Sequence, residues 1–337
     1  MTARARVRLA FVGMHPVRRA DLEDRLGGPA AVVEAIAQGE IDVPERARAT
    51  AARSAAELLA GLPAGIRLVL AGYAGYPNEL LELGDRPDAL FVRGEVLGGD
   101  AVAIVGSRAA TRYGVGVAEA LGRRLADAGY VVVSGLARGI DAAAHRGAID
   151  STMAVFGCGI DRWYPSANRA LGHRILEAGG GLISEYAPGT PPAPWRFPLR
   201  NRIVSGLVRA VVVVEAAVTG GALITARAAL AQGRDVLAVP GDLGRPTSEG
   251  CNKLIADGAL PVTSIEDAVE ALDVVCGRLR VPRRSEHPLA EFLGDTGVDL
   301  DELVRRLGTP LGEVLVRVGR WEVEGLARLD AGRVVPA

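Results

Sequence analysis

Short apolar runs alternate with helical patterns through the middle of the chain. The run Ala101–Val105 is followed by apolar positions at helical spacing as far as Ala128, where Gly129 predicts the end of the helix. A second run, Tyr130–Val133, begins the next repeat of this pattern. Strands that are apolar along their length and are joined by helices are typical of a parallel sheet covered on both faces.

The same pattern predicts the other strands of an α/β domain. They are expected at Ile66–Leu70, Asp88–Gly94, Thr152–Phe156, Leu182–Glu185, Ala210–Glu215 and Asp235–Val239. Residues 187–198 contain five prolines and are predicted as a semi-rigid loop, because proline breaks helices and cannot donate to a strand ladder. A helix is predicted to begin at Pro198.

Helical patterns flank this domain on both sides. The predicted organisation is a helical module at 1–62, the α/β domain at 63–276, a linker rich in arginine at 277–288 and a second module at 289–337. The second module has three short helical patterns, at Leu289–Leu293, Asp299–Leu307 and Pro310–Gly319, and then a hairpin. This order resembles a winged helix, but its acidic middle segment favours a protein partner at least as much as DNA.

The composition of the 337 residues excludes several classes of protein. The formal net charge is −1, so nucleic-acid binding would need a local basic patch. The three cysteines and four histidines are scattered, which indicates neither a disulfide framework nor a metal site. No apolar run is long enough to span a bilayer, and the N-terminal apolar core is too short for a signal peptide. We therefore expect a cytoplasmic protein with no metal, no cofactor and no membrane contact.

Two loops that follow neighbouring strands are the first candidates for a binding site. They are Gly106–Arg108 (Gly-Ser-Arg) and Ser134–Gly139. The carboxyl ends of parallel strands meet at one rim of an open sheet, where such sheets bind ligands. Small residues, backbone N–H groups, a helix N-terminus and an arginine fork together suit a phosphate. The alternative is ordinary turn chemistry, since glycine commonly follows a strand.

Neither loop matches a common nucleotide-binding motif. The first lacks the second glycine of G-x-G-x-x-G, and no G-x-x-x-x-G-K-[ST] occurs in the chain, which excludes an ordinary P-loop ATPase.

Arginines and aromatic residues gather near the same predicted rim. The arginines are Arg108, Arg138, Arg169, Arg200 and Arg202, and the aromatic residues are Trp163, Tyr164, Tyr186, Trp195 and Phe197. Several cations beside aromatic rings are how a protein holds a polyanion with stacked bases. A single small phosphate ligand would need fewer cations.

Two charged pairs have a structural interpretation that competes with a functional one. Arg108 could pair with a core carboxylate such as Glu215 and shape its loop instead of binding a ligand. Asp141 and His145 are four residues apart on one helix, and no G-x-S-x-G elbow occurs, so we interpret them as a helix-surface pair and not as part of a hydrolase.

Several of these segments together resemble the DprA/Smf family, the DNA-processing protein A of bacterial natural transformation. The resemblance covers roughly residues 66–275, and its motifs lie at 102–149, 154–171, 182–192, 197–207, 214–231 and 239–258. It implies an extended Rossmann-like domain with a small N-terminal helical (SAM-like) module and a C-terminal winged-helix-like module. It also implies cooperative binding and protection of single-stranded DNA, a homodimer, and loading of the RecA recombinase during natural transformation or homologous recombination, without catalysis.

The resemblance also implies a set of DNA- or phosphate-binding residues. The two loops contribute Gly106, Ser107, Arg108, Ser134, Gly135, Arg138 and Gly139, and later segments contribute Asn168, Arg169, Phe197, Arg200, Asn201, Arg202, Gly220 and Gly221. Gly220 and Gly221 stand where many members have Ser-Gly-Ser. The Gly-Gly-Ala found here lacks both hydroxyls.

The alternative function is enzymatic. Nucleotide phosphoribohydrolases of the lysine-decarboxylase-like group share the Rossmann-like class and carry Pro-Gly-Gly-x-Gly-Thr with a downstream glutamate. Residues 239–244 (VPGDLG) lack the second glycine and the threonine of that motif.

Overall fold

The structure is a computed structural model that describes residues 2–278, 292–294, 297–323 and 326–336. The chain forms two compact units, Met1–Gly277 and Arg278–Ala337. Among the described residues, no helix combines the length and the apolarity needed to cross a membrane.

The first unit begins with helices and continues as an α/β domain. Its helices are α1 (Thr2–Val12), α2 (Pro16–Leu26), α3 (Pro29–Gln38), α4 (Glu45–Ala52), α5 (Ala55–Ala60), α6 (Arg112–Asp127), α7 (Ile140–Gly147), α8 (Arg169–Glu177), α9 (Arg196–Gly206), α10 (Gly221–Ala231), α11 (Pro246–Ala256) and α12 (Ile265–Val275). Its strands are β1 (Ile66–Leu70), β2 (Ala89–Gly94), β3 (Ala101–Val105), β4 (Val131–Ser134), β5 (Thr152–Phe156), β6 (Gly181–Ser184), β7 (Ala210–Val213), β8 (Asp235–Ala238) and β9 (Leu260–Pro261). The strands predicted from apolar runs are confirmed, with ends that differ by at most two residues.

All nine strands form one sheet in the order β1-β2-β6-β5-β4-β3-β7-β8-β9. The strands from β3 to β9 pair in parallel, as the sequence predicts. At one edge, however, β1 pairs with β2 and β2 pairs with β6 in antiparallel fashion. The connection between β1 and β2 contains only a 3-10 helix, Asn78–Leu80, and no crossover α-helix that would return the chain for parallel pairing.

The alternation of side chains along each strand separates two apolar cores. In β3, Ala101, Ala103 and Val105 pack on one side of the sheet with α9, α10 and α11. Val102 and Ile104 pack on the other side with α6, α7 and α12. Because helices cover both faces of the sheet, β3 carries apolar residues at every position.

Helix α1 joins the N-terminal helices to the edge of the sheet. Its residues Ala5 and Leu9 belong to the core that the N-terminal helices form among themselves. Val7 and Ala10 pack instead with residues of β1 and β2, and Phe11 meets the ring of Phe91 edge-on at 5.1 Å. The N-terminal helices therefore pack directly on the sheet, while the predicted domain boundary at residues 62 and 63 stays a prediction.

The described part of the second unit contains helical residues at 292 and 293, two further helices and a small sheet. The helices are α13 (Leu300–Leu307) and α14 (Leu311–Val323), and the strands are β10 (Val298–Asp299), β11 (Ala327–Asp330) and β12 (Arg333–Pro336). The sheet is antiparallel in the order β10-β12-β11, and the β11–β12 pair is the hairpin that the sequence predicts. Most of the predicted linker and residues 289–291 of the predicted first helix lie outside the described residues, so the winged helix stays a prediction.

Candidate nucleic-acid interface

The candidate site lies where the order of the parallel strands reverses. Strand β3 lies between β4 and β7. The chain therefore continues from β3 to one side of the sheet and later returns to the other side of β3 at β7. Such a switch point leaves a crevice outside the carboxyl ends of the strands, where open α/β sheets bind ligands. A cleft of about 630 Å³ occupies this place, lined by the loops after β3, β4 and β7 and by α9. We call it the switch-point cleft.

The loop after β3 is held to the loop after β7 by its backbone. The Ser107 N–H donates to the carbonyl oxygen of Glu215 at 2.7 Å. A Cβ on Gly106 would lie 2.5 Å from a side-chain carbon of Ile140, so only glycine lets α7 pack this closely. The Ala109 N–H donates to the hydroxyl of Ser107 at 3.1 Å. The loop therefore uses these N–H groups for its own structure, which leaves side chains as the main groups for an anion.

Arg108 projects from this loop and does not pair with Glu215. Glu215 is buried and accepts hydrogen bonds from the backbone and hydroxyl of Thr111, at 2.9 and 2.5 Å. No ion pair of Arg108 occurs within the part of the chain that the structure describes. The Arg108 guanidinium instead lies over the Phe197 ring, 5.4 Å from its centre. The interpretation that Arg108 pairs with Glu215 is therefore wrong.

Two aromatic rings form one wall of the cleft beside Arg108. Phe197 is the second residue of α9, and its ring packs against Tyr164 with ring centres 5.1 Å apart and planes tilted by 30°. A Cβ on Gly157 would lie 2.8 Å from the Phe197 ring, so this glycine leaves the room that the ring occupies. A cation over one face of a stacked pair is a favourable arrangement and also a surface on which bases can stack.

The loop after β4 is held by Asp141 and Asn168. Leu136 adopts a φ of 55°, which is uncommon for a residue with a side chain. The Asn168 amide donates to the carbonyl oxygens of Leu136 and Ala137 at 2.9 and 3.0 Å. The Asp141 carboxylate accepts from the N–H groups of Gly135 and Ala137 at 3.1 and 3.3 Å. Asn168, which the sequence predicts as a ligand residue, thus positions the loop.

A buried charged pair lies at the floor of the cleft. Arg200 is 5% exposed, and its Nη1 donates to the carbonyl oxygen of Val155 at 2.5 Å. Burial lowers the pKa of Arg200, and the nearby Asp141 carboxylate opposes that shift. Burial likewise raises the pKa of Asp141, against the attraction of Arg200. A Cβ on Gly135 would clash with the Arg200 guanidinium, so glycine at this position makes room for the arginine.

The structure brings many of the predicted residues together and leaves others apart. Those that line the cleft are Gly106, Ser107, Arg108, Gly135, Phe197, Arg200, Asn201, Gly220 and Gly221. Gly220 and Gly221 begin α10, so the N-terminus of that helix faces the cleft. Arg138 and Arg169 are exposed but do not line it.

Three predicted residues have structural partners elsewhere. Ser134 is fully buried and donates to the carbonyl oxygen of Ile104 at 2.7 Å. A Cβ on Gly139 would clash with the carbonyl oxygen of Ser107, so this glycine permits close contact of the two loops. Arg202 is buried and donates to both carboxylate oxygens of Glu185, at 2.8 and 2.9 Å.

The prediction of a helix-surface pair at Asp141 and His145 is wrong. Both side chains are buried, Asp141 at the cleft and His145 against β5. The Thr152 hydroxyl donates to Val132 and accepts from the Nδ1 of His145 at 2.7 Å, while Nε2 has no partner. Burial lowers the pKa of His145 to about 3. The spacing of four residues alone could not show that α7 packs with both faces covered.

The comparison with known protein families agrees with this architecture. Residues 67–273 match the family described as DNA recombination-mediator protein A. The chain belongs to this family. It is 40% identical to Protein Smf of Escherichia coli over 280 residues, which cover 77% of this chain and 74% of that protein.

Two solved structures of the family are similar to this chain. DNA processing protein A (DprA) of Streptococcus pneumoniae is 33% identical, with a TM-score of 0.63, over 79% of this chain and 95% of that one. DNA processing protein A of Helicobacter pylori, whose structure concerns its single-stranded DNA binding mode, is 28% identical with a TM-score of 0.57. That match covers 61% of this chain and 95% of the Helicobacter chain. The resemblance that the sequence motifs indicate is therefore confirmed.

Proposed function

We propose that this chain binds single-stranded DNA in the switch-point cleft and acts as a recombination mediator. The proposal rests on the stack of Arg108, Phe197 and Tyr164 at the mouth of the cleft, with Arg200 at its floor. Guanidinium groups bind phosphates, and ring faces accept any base, so the arrangement fits a strand without sequence preference. The relatives named as DNA processing proteins, one of them with a single-stranded DNA binding mode, support the same function.

Binding of single-stranded DNA explains why the cleft combines polar and aromatic groups. In a duplex, the base faces are stacked on one another and are not available to Phe197 or Tyr164. A single strand exposes both its phosphates and its base faces, so it can use the arginines and the rings together. Release of counterions from the bound phosphates should make the affinity depend on salt.

A binding titration tests the proposal. Fluorescently labelled oligothymidylate and a duplex of equal length are titrated with the full chain at several salt concentrations. We expect tighter binding of the single strand and an affinity that falls as salt rises. Equal affinity for both forms, or an affinity that does not respond to salt, would contradict the proposal.

We also propose that the chain forms a homodimer in the cytoplasm and loads the RecA recombinase onto the bound strand. Helix α10 supports the dimer, because its apolar side chains Ile224 and Leu230 are 39% and 58% exposed. The family resemblance supports the RecA step. Adding this chain to RecA and single-stranded DNA coated with a binding protein should shorten the lag of RecA filament formation, and an unchanged lag would contradict it.

The alternative function as a nucleotide phosphoribohydrolase is not favoured. The family match points to recombination mediators, and the segment 239–244 that would correspond to the hydrolase motif does not line the switch-point cleft. Incubation with nucleoside monophosphates should therefore release no free base.

A further inference from the structure

A second cleft lies between the N-terminal helices and the proline-rich segment that precedes α9. Its volume is about 590 Å³. Arg18 from α2, Arg46 from α4, Arg53 and Arg196 all line it, together with the ring of Trp195. We call it the arginine cleft. The motifs of the switch-point cleft contribute none of these residues.

The arginine cleft is strongly cationic although the whole chain carries a net charge of −1. No aspartate or glutamate is among its lining residues. Within the described part of the chain, none of the four arginines forms an ion pair. A concentration of unneutralised guanidinium groups in a concave surface attracts a polyanion.

Backbone carbonyl groups position three of these arginines without neutralising them. Arg18 donates to the carbonyl oxygen of Asp42 at 2.7 Å, and Arg53 donates to that of Glu57 at 3.3 Å. Arg196 donates to the carbonyl oxygen of Pro191. A guanidinium has five N–H donors, so each group keeps donors for a ligand after making such a bond.

Trp195 gives the cleft a ring face. Its side chain is 44% exposed and lies beside His15, with ring centres 5.5 Å apart. The Arg196 guanidinium lies over the Trp195 ring at 4.7 Å and over the Tyr186 ring at 5.1 Å. The combination of arginine and an exposed ring repeats the chemistry of Arg108 and Phe197 in the switch-point cleft.

One chain segment separates the two clefts and faces both of them. Residues 192–194 and Phe197 line the switch-point cleft. Thr190, Pro191, Trp195 and Arg196 line the arginine cleft. Both clefts lie within the same compact unit. A flexible chain that leaves one cleft across this segment therefore enters the other.

The charge in the switch-point cleft is small by comparison. Its arginines are Arg108 and Arg200, and Asp141 offsets one of them. A strand of DNA carries one negative charge per nucleotide, so this cleft alone neutralises little of a longer strand.

We propose that the arginine cleft binds the phosphates of the same single strand that occupies the switch-point cleft. The inference rests on the proposed function and extends it, because it assigns the N-terminal helices a part in DNA binding. The strand crosses the segment 190–197, its phosphates meet the four arginines, and a base stacks on Trp195.

Paired oligonucleotides test the inference. A short oligothymidylate of about 5 nucleotides and a long one of about 20 are titrated with the full chain and with the double variant Arg46→Ala/Arg53→Ala. The control is Arg48→Ala, because Arg48 is exposed on the same helix α4 and does not line the cleft. Thermal unfolding of each variant confirms that it is folded.

The double variant should bind the long strand about tenfold or more weakly than the unaltered chain does. Its affinity for the short strand should be unchanged. The slope of log affinity against log salt concentration for the long strand should also fall, by an amount that corresponds to about two phosphate contacts. Arg48→Ala should change neither affinity. Unchanged long-strand binding, or an equal loss for both lengths, would overturn the inference.

The variant Arg108→Ala separates this outcome from failure of the proposed function. If Arg108→Ala weakens both strands and the double variant weakens neither, the switch-point cleft binds DNA and the arginine cleft does not. If Arg108→Ala weakens neither strand, the proposed function itself fails.

Discussion

Single residues at the switch-point cleft divide into those that face a ligand and those that hold the loops. Arg108 and Phe197 face the cleft, and both could be predicted because each stands in a recognisable motif. Asn168 and Ser134 stand in the same motifs, but their side chains bond to backbone carbonyl oxygens. Sequence motifs do not distinguish these two roles, since both require a fixed polar residue beside the site.

Asp141 is the residue in the cleft whose role the sequence did not indicate. Its carboxylate offsets Arg200, and burial raises its pKa above the usual range. A bound phosphate would raise that pKa further, so DNA binding takes up a proton. Affinity for a short oligonucleotide should therefore increase as the pH falls towards the raised pKa of Asp141.

The variant Asp141→Asn keeps an acceptor for the loop but cannot ionise. It should bind the short strand more tightly than the unaltered chain does at any pH where Asp141 is ionised, and it should lose most of the pH dependence. Asp150→Asn is the control, because Asp150 is exposed and does not line the cleft. Fluorescence anisotropy at pH 5, 6 and 7 measures both effects, and the same pH dependence in Asp141→Asn would contradict this role.

His145 should make the protein less stable in acid. Its pKa is about 3 in the folded state, below the unfolded value of about 6.5, so the unfolded chain binds the extra proton between these values. Stability is therefore lost as the pH falls below about 6.5, at up to about 1.4 kcal/mol per pH unit. Between pH 7 and 5 this residue should remove about 2 kcal/mol from the free energy of unfolding.

Urea denaturation of the full chain at both pH values measures this loss. The variant His145→Gln cannot take up the proton and should lose about 2 kcal/mol less than the unaltered chain over the same range. An equal loss in both proteins would show that other groups cause the acid sensitivity.

At the scale of elements, helix α9 presents its two arginines to different surroundings. Positions two apart on a helix do not face each other, so Arg200 and Arg202 point apart. Arg200 lies at the floor of the switch-point cleft, whereas Arg202 pairs with Glu185 and with Asp85 at 3.4 Å.

The sequence predicts helix α9, but the helix begins at Arg196 and not at Pro198, because the proline-rich loop ends two residues earlier. The partners of each arginine depend on distant segments, which periodicity does not reveal.

The variant Arg202→Ala should therefore destabilise the fold and leave the cleft intact. Breaking a buried ion pair typically costs about 3–5 kcal/mol, because the remaining carboxylate stays buried without a partner. The midpoint of thermal unfolding should fall by several degrees, while the affinity of the folded fraction for single-stranded DNA stays within about twofold. A stable variant with lost DNA binding would place Arg202 in the interface instead.

At the scale of the whole molecule, the order of the strands determines where the site lies. The sequence predicts that loops after β3 and β4 share one rim, because parallel strands separated by helices leave few arrangements. It does not predict that β7 lies beside β3, and this pairing creates the switch point and brings the start of α10 to the cleft. The packing of α1 on the sheet edge, which forms the arginine cleft, depends equally on contacts far apart in the chain.

The proposed dimer belongs to the same scale. The exposed apolar side chains of α10, Ile224 and Leu230, would be buried by a second copy of the chain. Leu230→Arg should convert the dimer into a folded monomer, which light scattering at micromolar concentration detects. An unaltered chain that is monomeric, or a variant that remains dimeric, would contradict the assignment of this face.

The variant Arg108→Ala tests whether the switch-point cleft binds single-stranded DNA through Arg108. A charge-assisted hydrogen bond contributes about 1.5–3 kcal/mol, so the variant should bind about tenfold or more weakly. Arg108→Lys should recover only part of the loss, because lysine restores the charge without the planar fork. Arg112→Ala is the control, since Arg112 is an exposed residue nearby that does not line the cleft.

Affinity and thermal stability are measured on the same preparation of each variant. We expect Arg108→Ala to unfold at nearly the same temperature as the unaltered chain and to lose most of its affinity for the single strand. A folded Arg108→Ala protein with unchanged affinity would contradict this expectation.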